Sequence, residues 1–396
     1  MSHRPAPWAL AAVLPVAGLA GCVSQPRKPQ PPEPFVFRSL NLRQQNANGQ
    51  PAWEITSPEA RYDLTSKVAL ARQLRGTVYR GGNPHIQVSA ATAQVIDDGR
   101  RLELKGSVRI TLLGANPVGI SGDRASWLPH QNLMEIDRRP VATDRRSRVS
   151  AKTARYLLAA DRLELRGGAV LEQWQAPAAT PTAPRPPAPL RVSTASIDWR
   201  PEQGALLAPS AVLGQRWSTG GPVADLRLTA TGLRGNLRQG LVDLLAPVRL
   251  RNRDGNGWLD AAQTRWAIND QWLASDQPFR GAMRHLSGQG DGLRIDLAAS
   301  TVQVPHGCRL QQPGELLLAQ RCLWHWPSGR FQADGGVELR RKAYQQITRA
   351  SVLKGTIGAN GEAVFTAPGG RVQSQVVLPP GTAQRPQAAA APPVTF

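Results

Sequence analysis

The stretch from Ala91 to Leu112, ATAQVIDDGRRLELKGSVRITL, shows most clearly how the chain folds. Small residues lead up to Val95, and an Asp98-Gly99 turn follows. Apolar residues then alternate with polar ones at Leu102, Leu104, Val108, Ile110 and Leu112. Alternation with a period of two is typical of strands that have one apolar and one hydrated face, and Asp-Gly favours a tight turn. The stretch therefore predicts two antiparallel strands joined by a short turn.

The same unit recurs along most of the chain. An apolar residue in the second strand of each unit is a convenient marker of the period. The markers are Val78, Val108, Val141 and Val170, spaced 30, 33 and 29 residues apart, and later Val212, Val248, Phe279 and Val337. A period of two strands and two turns predicts an all-β repeat array. An unrelated β-sandwich with evenly spaced strands is the alternative.

The net charge of +20 comes mainly from arginine. Such a charge suggests an anionic partner, which would be a nucleic acid, a membrane surface or an acidic lipid headgroup. A general bias of the genome towards arginine codons would produce the same composition.

The N-terminus has the pattern of an export signal. Arg4 precedes an apolar stretch from Trp8 to Ala20 that is too short to span a bilayer. The stretch ends in Leu-Ala-Gly-Cys at residues 19–22, which resembles the lipobox of bacterial lipoproteins. That resemblance implies a cleaved signal peptide over residues 1–21 and a lipidated Cys22; a plain secretory signal is the alternative. Export excludes nucleic acid as the anionic partner.

Composition divides the remainder of the chain. Residues 22–34 comprise the lipidated cysteine and a proline-rich spacer, and strand patterns occupy residues 35–174. Residues 175–190 contain six prolines and are predicted to be a loop on a continuous array or a linker between lobes. The strand patterns resume over residues 191–376 as a further β-repeat lobe, and residues 377–396 are predicted to be a disordered tail.

Two cysteines remain besides Cys22. Cys308 and Cys322 are an even pair in an exported chain, which predicts a disulfide. The alternatives are two buried free thiols, or a metal pair completed by His306 and His325. The histidines are otherwise scattered, and the chain has no His-Glu-x-x-His motif and no Gly-x-Ser-x-Gly elbow. We therefore expect no catalysis, no catalytic residues, no metal and no cofactor.

Residues 40–62, LNLRQQNANGQPAWEITSPEARY, resemble the opening of the LptC family, the periplasmic bridge proteins of lipopolysaccharide export. The shared features are a leading strand, the turn at Asn48-Gly49, the strand with Trp53 and Ile55, and Ala-x-Tyr at residues 60–62. The following units are similar to the OstA-like repeats of LptC, LptA and the N-terminal domain of LptD. The resemblance covers residues 35–174 and becomes diffuse beyond residue 191.

The resemblance implies an elongated, twisted β-jelly roll that shelters the acyl chains of lipopolysaccharide or a similar anionic glycolipid and performs no chemistry. The lipid would come from an inner-membrane ABC transporter complex of the LptB/LptF/LptG type and pass to an LptA-like or LptD-like jelly roll by edge-to-edge contact. Better-known members carry a transmembrane helix and are about half as long. This chain looks more like the extended lipoprotein forms expected in cyanobacteria.

The resemblance also implies a location and a set of lipid-contacting residues. The protein would be periplasmic and lipid-anchored, with the inner membrane favoured. Candidate residues of the lipid groove are the apolar alternates Ile55, Leu102, Leu104, Val108, Ile110, Leu163 and Leu165. Membership of an ordinary core is the alternative for each of them. The alternative for the whole protein is a structural or scaffolding envelope lipoprotein with a solid β-core.

Overall fold

The protein is almost entirely β-structure. The computed structural model describes residues 35–217, 223–356 and 363–377, and the predicted signal peptide, Cys22, the spacer and nearly all of the predicted tail lie outside them. Among the described residues the only helices are single 3-10 turns, Asp97–Gly99, Pro129–Gln131 and Ala343–Gln345. None of the helices in these ranges has the length and apolarity needed to cross a bilayer.

The first half of the described chain contains the strands β1 (Phe35–Phe37), β2 (Leu40–Gln45), β3 (Pro51–Ser57), β4 (Glu59–Asp63), β5 (Val68–Arg80), β6 (Asn83–Ile96), β7 (Arg101–Leu112), β8 (Val118–Leu128), β9 (Leu133–Arg138), β10 (Val141–Thr143), β11 (Ser147–Ser150), β12 (Thr153–Leu157) and β13 (Arg162–Gln173). The predicted strand pair of residues 91–112 is the β6–β7 hairpin.

The second half contains β14 (Leu190–Arg200), β15 (Ala205–Ala208), β16 (Val212–Arg216), β17 (Leu226–Ala230), β18 (Gly232–Asn236), β19 (Leu241–Leu245), β20 (Val248–Asn252), β21 (Gly257–Ala261), β22 (Thr264–Ala267), β23 (Trp272–Met283), β24 (Leu286–Asp296), β25 (Thr301–Val304), β26 (His306–Gln312), β27 (Glu315–Ala319), β28 (Arg321–His325), β29 (Arg330–Arg341), β30 (Gln346–Thr356), β31 (Ala363–Thr366) and β32 (Gln373–Gln375).

These strands form one antiparallel sheet in which pairing follows the order of the chain. We call a rung either one long strand, such as β5 or β7, or two short strands in succession, such as β3 and β4. Every rung between the first and the last described ones pairs with the rung before it and the rung after it; β5, for example, pairs with β3 and β4 on one side and with β6 on the other. The predicted markers from Val78 to Val337 all fall on every second rung, although the rung formed by β25 and β26 carries none, and this confirms the two-strand repeat.

The long strands bend near their middle. In β7 the bend lies at Gly106 and Ser107, both with positive φ (75° and 49°), and the pairing with β8 shifts by one residue there. The extra residue is a β-bulge, which turns the strand while Leu104 and Val108 stay on the same face. The Leu-x-Leu-x-Gly-x-Val pattern therefore encodes a strand that crosses from one wall of a folded sheet to the other.

The bends fold the sheet over on itself, which leaves two rows of hairpins as its free margins. We call the margin that contains residues 81–82, 144–146 and 284–285 the first lip, and the margin that contains residues 97–100, 158–161 and 201–204 the second lip. Trp53 of β3 meets Trp127 of β8 across the interior, with ring centroids 6.2 Å apart. The apolar faces of the two walls therefore pack against each other.

The proline-rich segment is a connection within this sheet. Strands β13 and β14, which flank it, pair directly from Gln173↔Leu190 to Leu163↔Trp199. Its side chains fold back on the first lip, where Arg185 stacks over Trp174 at 4.7 Å and donates a hydrogen bond to the carbonyl of Asp144. The sheet is therefore continuous across this segment; the boundaries of the predicted domains stay a prediction.

Candidate functional site

The interior contains an apolar cavity of about 270 Å³ in the second half of the chain. It lies where two clusters of buried residues meet, and Leu259 packs against both of them. Its lining is almost wholly aliphatic and aromatic and includes Met283, Leu286, Ile295, Trp324 and Trp326. A space of this character favours hydrocarbon, because it offers little compensation for a buried polar group.

The cavity opens between the two lips. Met283 and Leu286 belong to the β23–β24 hairpin of the first lip, whereas Leu297 and Trp326 belong to hairpins of the second lip. Met283 lines the cavity and is 39 % exposed to solvent. The second half of the roll is therefore accessible from the side at this point.

The seven predicted groove residues lie elsewhere, in the interior of the first half. Each of them is at most 1 % exposed and belongs to the larger buried cluster; they are Ile55, Leu102, Leu104, Val108, Ile110, Leu163 and Leu165. Their contact with lipid stays a prediction. In this conformation the side chains are buried within that cluster, and a lipid would reach them only if the walls separated.

A polar cluster joins the two lips over the first half, and we call it the clasp. Nη1 of Arg80, on the first lip, donates hydrogen bonds to both carboxylate oxygens of Glu202 on the second lip, at 2.7 and 2.9 Å. Nε2 of His85, also on the first lip, lies 2.9 Å from Oε1 of Glu202. Behind Glu202, Asp161 accepts hydrogen bonds from the Glu202 N–H at 2.8 Å and from the Tyr156 hydroxyl at 3.2 Å.

Burial shifts the proton affinities in the clasp. It is the largest cause that lowers the pKa of His85 below 6.5; the charge of Arg80 adds to this effect and Glu202 opposes it. Burial also raises the pKa of Asp161 above 3.8, and that of the Tyr156 hydroxyl above 10.0. At neutral pH the clasp therefore holds a neutral imidazole between Arg80 and Glu202.

The His85 imidazole of the clasp makes stability depend on pH in a predictable direction. Because the folded state binds the His85 proton more weakly than the unfolded chain does, stability is lost as pH falls below about 6.5 towards the folded-state pKa. We expect the unfolding midpoint to fall between pH 7 and 5.5 in the unmodified protein. His85→Gln should reduce this fall, and thermal unfolding of both proteins across this range measures the difference. An equal decrease of the unfolding midpoint with pH in both proteins would contradict the prediction.

Two weaker contacts extend the connection between the lips. Nη1 of Arg146 on the first lip lies 3.4 Å from Oδ1 of Asn269 on the second, and Nη2 of Arg216 lies 3.5 Å from Oε1 of Gln271. The lips are thus tied together from the hairpin at residues 81–82 to β16 on the first lip. The apolar cavity begins beyond the last of these contacts.

The cysteine pair lies in the second buried cluster. Cys308 and Cys322 are disulfide-bonded in the structure, with Cα atoms 6.0 Å apart, and Cys322 also lines the apolar cavity. No group of three or more metal-binding side chains occurs within the described ranges.

The outer face is an array of arginines that share carboxylates. Glu172 lies between Arg148 and Arg191, at 3.9 and 2.9 Å. The same arrangement recurs, in which a carboxylate on one strand contacts arginines of both neighbouring strands: Asp243 with Arg234 and Arg265, and Asp260 with Arg249 and Arg280. Glu338 likewise contacts two arginines, Arg340 of its own strand and Arg349 of the next. Each such triplet leaves one positive charge in excess, so the outside of the roll stays cationic.

Comparisons with known proteins find a similarity in the first part of the chain. Residues 10–172 match the family described as "Lipopolysaccharide-assembly, LptC-related". A search of curated protein sequences finds no match. A solved structure with some similarity is the crystal structure of LptH from Pseudomonas aeruginosa, described as the LptA homologous periplasmic component of the lipopolysaccharide transport device. It is 14 % identical, with a TM-score of 0.26, over 35 % of this chain and 91 % of that chain.

Proposed function

We propose, from the premise that residues 10–172 are LptC-related, that the protein is a periplasmic, membrane-anchored lipid-transfer component of lipopolysaccharide export. It shelters the acyl chains of lipopolysaccharide or a similar anionic glycolipid inside the β-roll. It takes the lipid from an ABC transporter of the LptB/LptF/LptG type and passes it to an LptA-like or LptD-like jelly roll. The observation that carries the proposal is the apolar cavity that opens between the lips.

The cavity supports transfer because it combines an apolar interior with a lateral entrance. An acyl chain gains roughly 0.8 kcal/mol for each methylene that it removes from water, and Leu286, Ile295 and their neighbours provide the necessary surface. The entrance between the lips allows the headgroup to stay in solvent while the chain is inside. A transfer protein needs both properties, since it must bind a lipid and also release it.

The two ends of the sheet suit contact with further jelly rolls. At one end β1 pairs with β4, and within the described residues its other edge is unpaired. Phe35, Val36 and Phe37 in this strand are 43–62 % exposed. An exposed apolar edge strand favours the addition of a strand from a partner. We propose that edge-to-edge partners bind there and at β31 and β32.

The scaffolding alternative rests on the first half of the roll, where the interior is packed without exposure. A protein that only bound other envelope proteins would need such a solid core and no cavity. The open cavity of the second half favours transfer over scaffolding, and it is the site where the two functions make different predictions.

Site-specific photo-crosslinking separates the two functions. A photoreactive phenylalanine at Ile295, which lines the cavity, should capture lipopolysaccharide in cells that synthesise it, because the side chain faces the proposed acyl site. The same photoreactive phenylalanine in place of Arg294 is the matched control. The Arg294 guanidinium stacks on Trp272, 4.5 Å from the ring centroid, and points away from the cavity. We expect strong capture at Ile295 and little at Arg294.

Further positions define the path of the lipid. Crosslinkers at Leu104 and Ile110 should also capture glycolipid if the walls of the first half separate during transfer. Failure at all of these interior positions, in cells where a known carrier is crosslinked, would exclude transfer and favour the scaffold.

A further inference from the structure

The wall that lines the apolar cavity carries a basic pocket on its other side. Along β24, Leu286 and Gly288 face the cavity, whereas Ser287 faces the pocket. Along β26, Leu310 faces the cavity and Arg309 faces the pocket. Successive residues of a strand point to opposite faces of the sheet. The two spaces therefore lie on opposite sides of this wall, next to the first lip, and only the thickness of the wall separates them.

The pocket has a volume of about 700 Å³ and collects side chains from three neighbouring hairpins of the first lip. Its ionisable residues are His285, Arg309, Glu315, Arg340, Arg341 and Lys342. Glu315 is the one carboxylate among the described residues of this lining, so positive charge predominates.

The charges are only partly neutralised within the protein. Nε of Arg341 lies 2.9 Å from Oε1 of Glu315, and Arg340 pairs with Glu338 at 2.6 Å. Arg309 and Lys342 form no ion pair with any described residue. Nη2 of Arg341 is buried and lacks a hydrogen-bond partner within the described ranges. A buried guanidinium nitrogen without a partner costs free energy that an anionic ligand would recover.

We propose that this pocket binds the phosphate of a lipid headgroup while the hydrocarbon chain of the same lipid occupies the apolar cavity. The inference rests on the proposed function and assigns its headgroup site. A phosphate is favoured over a carboxylate because Arg309, Arg341 and Lys342 together supply more positive charge than a single carboxylate neutralises. The chain crosses the lip at Leu286, and the headgroup lies beside His285.

The test uses the full chain and dodecyl phosphate below its critical micelle concentration, with dodecyl maltoside as the uncharged amphiphile. Isothermal titration should show that dodecyl phosphate binds more tightly, by about tenfold. The double variant Arg309→Gln/Lys342→Gln should abolish this preference and leave the affinity for dodecyl maltoside unchanged. The double variant Lys105→Gln/Arg109→Gln, which removes the same charge from exposed positions of β7, should behave as the unmodified protein.

The possible outcomes separate the headgroup site from the proposed function. Equal affinity for both amphiphiles, or a phosphate preference that survives Arg309→Gln/Lys342→Gln, would overturn the headgroup site and leave the acyl cavity intact. Inorganic phosphate that binds as tightly as dodecyl phosphate would identify a site for free anions, and would also overturn the lipid assignment. Failure of both amphiphiles to bind would overturn the acyl cavity and the headgroup site together.

Discussion

Replacement of Trp127 by alanine is expected to lower the free energy of unfolding by about 3–5 kcal/mol. The ring is 1 % exposed and lies edge-on to Trp53, where it joins the two walls of the roll. It also fills the space over Gly76, whose position would place a Cβ 3.1 Å from the Trp127 ring. Urea unfolding followed by circular dichroism measures the loss.

Two further variants test the reason for this effect. Trp272→Ala removes the same side chain from the outer face, where it is partly exposed and stacked by Arg294, and should cost only about 1 kcal/mol. Trp127→Phe should cost much less than Trp127→Ala, because the buried indole N–H has no hydrogen-bond partner among the described residues. Equal losses for Trp127→Ala and Trp272→Ala would contradict a structural role for the contact between the walls.

Removal of the disulfide with Cys308→Ala/Cys322→Ala should lower the free energy of unfolding by about 3 kcal/mol, since the bridge closes a loop with a sequence separation of 14 residues. Reduction of the unmodified protein should have an effect of similar size and should leave the double variant unchanged. Both cysteines are at least 96 % buried. The protein must therefore be reduced while it is denatured, and then refolded.

Mass spectrometry provides the direct control for the disulfide. Digestion without reductant should release one linked peptide that contains both cysteines. Two free thiols, together with a stability that does not respond to reductant, would contradict the prediction.

The strands and their repeat could be predicted from the sequence because they are local. Alternation of apolar and polar residues from Leu102 to Leu112, the Asp98-Gly99 turn and the regular spacing of the valine markers all act within a few tens of residues. The same patterns are present after the proline-rich segment. Pairing between neighbouring rungs then follows without further information.

The clasp and the cavity could not be predicted in the same way. Arg80 and Glu202 are 122 residues apart, and their contact depends on how the twist of many rungs accumulates. The location of the cavity also depends on where the lips part. One indication of it was present in the sequence: Gly288 and Gly290 occupy inward-facing positions of β24 where other strands carry aliphatic side chains.

The rule that every rung pairs only with its neighbours in sequence constrains how such a protein can change in length. Each rung runs opposite to the one before it, so insertion of a single rung would transfer all later hairpins to the other lip. Arg80 would then face a different margin from the one that carries Glu202. Insertion of two rungs preserves this parity and extends the sheet by about 9.5 Å. We therefore expect viable length variants to differ by multiples of about 30 residues, the period of the markers.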